Sequence, residues 1–304
     1  MDIKTLTNGS LKFTAYCCGF DTNPAGRVVI CLHGFPDNAG SFRFQLPALA
    51  EAGYRAIAPT LRGYEPSSQP ADGDYSLVAL ARDVVAWIDD LGEARVHLVG
   101  HDWGAGIVYV AGALAPERFH SLTTIAVPHA ARFADGIRKV PGQVAKSWYM
   151  MFFQLRGIAE IALELNDWSL IKKLWRDWSP GYDLTEETWA DLRSTFAAAG
   201  VKKAMLGYYR HNASLGVLMG WKKTAASTLT TVPVRTLAIT GADDGCIDTR
   251  LFDHVFLDED FPNGFRVERI QHAGHFTHQE KPEEINRLLL DWLKDPSENE
   301  ESAR

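Results

Sequence analysis

The sequence predicts an α/β fold: a mostly parallel sheet with helices on both faces, interrupted by a helical insertion. Three observations predict it. Short apolar runs recur at residues 27–32, 55–59, 96–100 and 122–127, and again at 234–240 and 265–270. Between them lie helical patterns, and from about 131 to 230 strand signals vanish. Runs apolar on both faces suit strands of a parallel sheet covered by helices, and alternation of strand with helix predicts layers rather than separate α and β halves.

Taken in order, KTLTNGSLKFTAY (4–16) has Asn8-Gly9 between strand-like runs and reads as an antiparallel hairpin leading into the sheet. RVVICL (27–32) is the first buried strand. Residues 75–91 place Leu77, Leu80, Val84, Ile88 and Leu91 at helical spacing, and Gly92 stops the helix. VHLVG (96–100) runs into a glycine-rich turn and a small-residue helix start. The 131–230 stretch is rich in aromatics, among them Trp148, Tyr149, Trp175, Trp178, Tyr208 and Tyr209, most of which read as packing between short helices. The strand pattern resumes with VRTLAIT (234–240), and Pro282 opens an amphipathic helix over 282–293. The expected organisation is a core in two parts, 1–130 and 231–294, a helical cap over 131–230, and a charged, disordered tail over 295–304.

Composition removes several classes of function. The net charge is −7, and phosphate binding needs clustered Lys and Arg, so no nucleic-acid partner is expected. No dinucleotide-binding or zinc-knuckle motif is present, and no run of about 18 apolar residues could span a bilayer, so no membrane insertion is expected. The N-terminus lacks an apolar stretch behind a basic start and reads as no signal peptide. Cys17, Cys18, Cys31 and Cys246 have no metal-ligand spacing; they are expected as reduced thiols of a cytoplasmic protein, with Cys17 and Cys18 on opposite faces of a strand.

The chemistry concentrates at Gly100-His101-Asp102-Trp103-Gly104. A strand, a tight glycine turn and a helix form the setting of a nucleophile elbow, where Gly104 and Gly106 let the helix press against the sheet. A carboxylate beside a helix N-terminus is favoured by the helix dipole. Taken alone, Asp102 fits an ordinary helix N-cap equally well. Its partners decide. An acid lies just past the 234–240 strand, in Gly241-Ala242-Asp243-Asp244-Gly245, and a histidine just past the last strand, in Gly274-His275-Phe276. Nucleophile, acid, histidine is the chain order an elbow requires. His272 and His278 compete, but the Gly-His placement before Pro282 favours His275; between Asp243 and Asp244 the order alone does not choose. His33-Gly34-Phe35-Pro36 follows the first buried strand, where a loop would supply one oxyanion-hole N–H, from Phe35, with the second from Trp103.

With HGFP (33–36), RGY (62–64), GHDWGA (100–105), GADDG (241–245) and GHFTHQEKP (274–282), the chain resembles the α/β-hydrolase fold epoxide hydrolases over most of its length. The resemblance implies an eight-stranded, mostly parallel sheet with an inserted cap. It implies Asp244 as the acid, and cap tyrosines Tyr149, from SWYMMFFQ, and Tyr209, from LGYYRHN, with Tyr208 as the neighbour most easily confused with Tyr209. It also implies a substrate site of Phe35, Trp103, Tyr149, Tyr209 and Phe276. Thr60 and Glu65 depart from the usual residues around RGY.

An aspartate in place of a serine has a chemical reading. A carboxylate attacking an sp³ carbon makes an ester, and the strained epoxide ring helps expel its oxygen. His275, oriented by Asp244, would then activate water against the Asp102 ester, and tyrosine hydroxyls would donate to the ring oxygen. The expected reaction joins a small apolar epoxide and water into a vicinal diol, with no metal and no organic cofactor. The rivals are a haloalkane dehalogenase on the same nucleophile, disfavoured by Phe35, which offers no side-chain donor, and a non-catalytic ligand receptor on the same fold. A fluoroacetate-type dehalogenase would want an arginine near the nucleophile, and GHDWGA has none. The oligomeric state is left open, a homodimer included.

Overall fold

The computed structural model describes residues 1–294; the expected tail over 295–304 lies outside the described residues. Eight strands form one sheet among the described residues: β1 (Asp2–Asn8), β2 (Leu11–Cys18), β3 (Val28–Leu32), β4 (Arg55–Pro59), β5 (Val96–His101), β6 (Phe119–Ile125), β7 (Thr236–Gly241) and β8 (Phe265–Ile270). Their order is β1-β2-β4-β3-β5-β6-β7-β8. β1 and β2 pair antiparallel, β2 joins β4 antiparallel, and every pairing from β4 to β8 is parallel.

The period of two along the strands divides the core between two faces. Val28, Ile30 and Leu32 of β3 face α2 (Leu77–Asp90) and α3 (Trp103–Leu114). Val29 and Cys31 face α1 (Gln45–Glu51) and α13 (Pro282–Leu293), the last helix described. Cys17 and Cys18 fall on opposite faces of β2, as consecutive strand residues must. All four cysteines are free.

Differences from the sequence expectation are local. The hairpin turn is Gly9-Ser10 rather than Asn8-Gly9: Asn8 pairs with Leu11 inside the ladder, and Gly9 takes φ +58 at the turn. Asn8 is held there by its side-chain amide, which donates to Asp83 at 2.7 Å. β6 starts and ends earlier than the apolar run, because the chain leaves the sheet at Ala126, with φ 69.

Between β6 and β7 the described chain makes helices and no strand: α4 (Phe133–Lys139), α5 (Gln143–Lys146), α6 (Trp148–Phe152), α7 (Ile158–Trp178), α8 (Glu186–Ala197), α9 (Val201–Asn212) and α10 (Leu215–Leu218). α7 is broken in the middle, where Asn166, Asp167 and Trp168 all take positive φ. Two short helices, α11 (Phe252–Val255) and α12 (Thr277–Glu280), flank β8. This helical excursion is fastened to the sheet side by specific groups. The Trp175 indole N–H donates to the Pro36 carbonyl at 2.9 Å, and its ring stacks on Phe276 with centroids 3.5 Å apart. Tyr208 Oη donates to the Arg62 carbonyl at 2.8 Å, and Asn212 Oδ1 accepts from Leu77 N at 2.9 Å. No helix of the described residues is long and apolar enough to cross a membrane.

Arg62 also explains its own motif. Its guanidinium makes two bonds to Asp83, at 2.6 and 2.7 Å, with both residues buried. Removing one partner of such a pair leaves an uncompensated buried charge, so Asp83→Ala should destabilise the fold by about 3–5 kcal/mol. Urea denaturation with matched slopes checks this; a change below about 1 kcal/mol, the range of exposed ion pairs, would contradict the buried assignment.

Candidate active site

The parallel strands deliver their C-terminal ends to one edge, and the predicted residues gather there. Asp102 follows β5 with φ 51 and ψ −117, a conformation that side chains other than glycine rarely adopt. The turn is held from both sides: Asp102 N donates to the Ile125 carbonyl at 3.2 Å, and its carbonyl accepts from Gly106 N at 3.1 Å, opening α3. Its side chain makes no capping bond to α3. Instead Oδ1 accepts from Phe35 N at 2.7 Å. The N-cap alternative is therefore not what this carboxylate does.

Two glycines permit this approach. A Cβ on Gly34 would lie 2.5 Å from both Cβ and Oδ1 of Asp102, and one on Gly104 would lie 2.2 Å from the Leu32 carbonyl oxygen. The His33-Gly34 loop therefore lies directly on the Asp102 side chain, and α3 directly on the end of β3.

His275 follows β8 and is fully buried. Its Nδ1 donates to Asp244 Oδ2 at 2.9 Å, and its Nε2 stands 3.5 Å from Asp102 Oδ2, an ion-pair distance without good hydrogen-bond alignment. Asp244 is fixed in turn, since its Oδ1 accepts from the backbone N–H groups of Cys246 and Ile247 at 2.7 and 2.8 Å. The neighbouring Asp243 side chain is exposed, so the structure puts Asp244, not Asp243, against the imidazole. Of the competing histidines, His272 is exposed, and His278 is buried with Nε2 2.7 Å from Ser41 Oγ.

Burial opposes charge on every imidazole here, and at three of them it wins. His33 is pushed down to about 4, His278 to about 3, and His101 well below its ordinary value. At His275 burial acts the same way, but the Asp244 and Asp102 carboxylates outweigh it and hold the group up at about 10. At neutral pH His275 is an imidazolium between two carboxylates.

Above Asp102 is a cavity of about 130 Å³, walled by Trp103, Tyr149, Met150, Tyr209, Ile247 and apolar residues of α4 and α10. Tyr149 and Tyr209 are buried phenols whose pKa values are raised well above 10, first by burial and then by Cys246 for Tyr149 and Asp102 for Tyr209. Both therefore keep their protons. Tyr149 Oη lies 3.3 Å from Cys246 Sγ, and Tyr209 Oη makes no well-formed hydrogen bond among the described residues, although Trp103 acts on it as a donor that lowers its pKa. The Trp103 indole packs edge-on against Tyr209 with centroids 5.0 Å apart, and among the described residues its Nε1 has no well-formed bond elsewhere. Tyr208 is different, because its hydroxyl is engaged by the Arg62 carbonyl and it does not reach the cavity.

Two residues expected at the substrate do not border this cavity. Phe276 lies against Trp175, away from the cavity wall. Phe35 places its N–H on Asp102, but its ring packs among Phe153, Trp178 and Tyr209 and does not line the cavity. The sequence reading also missed several supports. Trp178 O accepts from His275 N at 3.0 Å, Glu280 holds Gly274 N with both oxygens, and His101 Nε2 donates to the His275 carbonyl at 3.0 Å. His101 and Glu280 sit inside the quoted motifs and were within reach; Trp178, whose ring also packs edge-on against the His275 imidazole with centroids 5.1 Å apart, lies in none of them.

A carboxylate on a strained turn, an imidazolium and a second carboxylate at the C-terminal edge of this sheet define an α/β hydrolase. Residues 27–282 match the family model described as alpha/beta hydrolase fold. Epoxide hydrolase 3 of Xenopus tropicalis is 31% identical over 296 residues, covering 95% of this chain and 77% of the relative. Epoxide hydrolase A of Mycobacterium tuberculosis (strain ATCC 25618 / H37Rv) is 30% identical, covering 89% and 91%. The crystal structure of a Bacillus megaterium epoxide hydrolase in complex with an inhibitor superposes with a TM-score of 0.83 at 26% identity, covering 96% of this chain and all of that one. The chain belongs to the α/β-hydrolase fold family, among its epoxide hydrolases.

The charge arrangement generates a titration. Asp102 and Asp244 each raise the His275 pKa, so Asp102→Asn and Asp244→Asn should each lower it, whereas Asp243→Asn should leave it in place. Imidazole ¹⁵N shifts followed across the pH range read this directly. A His275 resonance that titrates at the same pH in Asp102→Asn as in the parent would separate the two groups.

Proposed function

We propose that the protein hydrolyses an uncharged, apolar epoxide to a vicinal diol through a covalent ester on Asp102. One observation carries the reading: Asp102, with His275 and Asp244 behind it, faces the same cavity as two protonated phenols. The carboxylate attacks a ring carbon, the carbon–oxygen bond opens, and Tyr149 and Tyr209 donate to the departing oxygen. The alkoxide takes a proton from a phenol, which regains one from solvent.

Ester formation then changes the electrostatics. It removes the charge of Asp102, one of the two carboxylates holding His275 protonated, so the His275 pKa falls and the imidazolium can release its proton to solvent, balancing the one the phenol regains. His275 becomes a base only after the ester exists. It takes a proton from water, the hydroxide attacks the Asp102 carbonyl carbon, and the oxyanion is received by Phe35 N–H, which already holds Oδ1, and by Trp103 N–H at the α3 N-terminus. Collapse of that intermediate breaks the ester C–O bond, the departing alkoxide takes the proton that His275 removed from water to give the diol, and the Asp102 carboxyl passes its proton to His275, restoring the carboxylate and the imidazolium.

The helical excursion between β6 and β7, at about 131–230, acts in this reading as a cap that closes the cavity and supplies both tyrosines. A cytoplasmic location is supported by the four free cysteines. The Bacillus megaterium relative is known with (R)-3-[1]naphthyloxy-propane-1,2-diol, its product, a neutral diol with an aryl substituent. A haloalkane dehalogenase would share Asp102 but has no use for two phenols; styrene oxide and 1,2-dibromoethane, assayed for diol and halide, separate the two.

Three outcomes follow. In a single turnover in ¹⁸O-water, the first diol should carry little label and the protein should gain it; a fully labelled first diol would mean direct attack by water. His275→Gln should accumulate protein heavier by the mass of the epoxide, and prolonged incubation without that adduct would count against a base acting second. Tyr149→Phe and Tyr209→Phe should each slow ester formation, together by about 10²–10⁴-fold, with ester hydrolysis little changed. Tyr208→Phe should slow it far less, since that hydroxyl is bound to Arg62. Stopped-flow tryptophan fluorescence distinguishes the two steps, and a double mutant alkylated at the normal rate would move the acid elsewhere.

A further inference from the structure

The loop that carries Asp244 is held from outside the sheet. Its Cys246 and Ile247 N–H groups turn inward to Asp244 Oδ1. Other backbone groups of the loop are taken by the helical excursion between β6 and β7. The Trp178 carbonyl, at the end of α7, accepts from Gly245 N at 3.1 Å and also from His275 N at 3.0 Å. Lys146 Nζ donates to the Asp244 carbonyl at 2.5 Å. Gln143 takes two groups at once: its Nε2 donates to the Cys246 carbonyl at 2.9 Å, and its Oε1 accepts from Asp248 N at 2.7 Å.

Gln143 is fully buried, although its neighbours Val144 and Ala145 on α5 are exposed. Its second amide N–H is given to Ser147 Oγ at 3.0 Å, so the whole amide is engaged. An amide that spans a C=O and an N–H of one loop does there what a neighbouring strand would do. It fits one way round, since the reverse would set oxygen against oxygen and N–H against N–H. Cys246 is the common point. Its N–H holds Asp244, its carbonyl is held by Gln143, and its sulfur lies against Tyr149 Oη.

We propose that Gln143 is a positioning residue: by bridging Cys246 and Asp248 it fixes the loop that aims the Asp244 carboxylate at His275. The effect on turnover rests on the epoxide-hydrolysis reading above, whereas the aim of the carboxylate belongs to the resting protein. Without the amide, the Cys246 carbonyl and the Asp248 N–H are left buried and unpartnered, and the loop turns to satisfy them elsewhere. The turn that grips Asp244 Oδ1 then shifts, and the 2.9 Å bond from His275 Nδ1 to Oδ2 lengthens. That weakens both the charge attraction and the orientation of the ring.

The test substitutes Gln143→Met, which keeps the length of the side chain and removes the amide. Imidazole ¹⁵N shifts should show the His275 pKa lowered, in the direction of Asp244→Asn. In single turnover, hydrolysis of the Asp102 ester should slow by about 10–100-fold, with kcat and KM falling together. In an Asp244→Asn background the same substitution should cost no more than about twofold, because the residue it acts through is already lost. Should Gln143→Met not fold, Gln143→Asn takes its place; it keeps an amide that is one methylene too short to reach both groups. A His275 that titrates at the parental pH in the folded variant would overturn the positioning role, however far the melting temperature falls. The titration needs no substrate, so the two readings fail separately. A lowered His275 pKa in a protein that never forms the Asp102 ester would support the positioning role and overturn the epoxide reading.

Discussion

A buried imidazolium between two carboxylates is the constraint around which this molecule is arranged. His275 is fully buried, and burial alone would discharge it, as it does His33, His101 and His278 close by. It stays charged because Asp244 and Asp102 flank it, and those carboxylates in turn need backbone donors. Asp244 finds two in Cys246 and Ile247; Asp102 finds one in Phe35. The donors lie in two loops, Cys246 and Ile247 in the one leaving β7 and Phe35 in the one leaving β3. The parallel topology is what brings those ends together, since it points β3, β5, β7 and β8 the same way.

In the proposed reaction, the same arrangement sets the order of the chemical steps already in the ground state. With both carboxylates charged, His275 holds its proton and cannot act as a base. Loss of one charge at Asp102 releases it. Timing in that proposed reaction would need no movement of the chain, only the neutralisation of one partner at 3.5 Å. The long contact suits this role. A short, well-aligned bond would tie Asp102 Oδ2 to the imidazolium and weaken it as a nucleophile, whereas Asp244, at 2.9 Å, orients the ring and is not consumed.

What was legible in the sequence follows from how each feature is encoded. Strands β4 and β8 and helix α13 match their apolar patterns residue for residue, because burial on two faces or one stripe writes itself into periodicity. Asp102 and His275 stood out because elbow and histidine must each follow a strand, whereas Asp244 was preferred to Asp243 only through the family resemblance. The hairpin register slipped by one, since Asn8 and Gly9 both suit a turn and the choice rests on a distant partner, Asp83. Phe276 was expected at the substrate site through the family resemblance. Its side chain instead meets Trp175, a contact made across about a hundred residues of chain that no local pattern encodes.

Tyr208 and Tyr209 show the limit most sharply. They are adjacent, both buried and both in a segment resembling the tyrosine-bearing one, so sequence distinguishes them poorly. On α9, consecutive residues point roughly 100° apart, and only one can face Asp102. The Tyr208 hydroxyl bonds to the Arg62 carbonyl, and Arg62 is itself pinned by Asp83 on α2. Asn212, one turn further along α9, bonds to Leu77 N at the start of the same helix. These two anchors set the rotation of α9 about its axis and thereby turn Tyr209 towards the cavity. The buried Arg62–Asp83 pair thus helps decide which phenol lines the cavity. It gives the RGY motif a physical reason to accompany the GHDWGA motif in this chain.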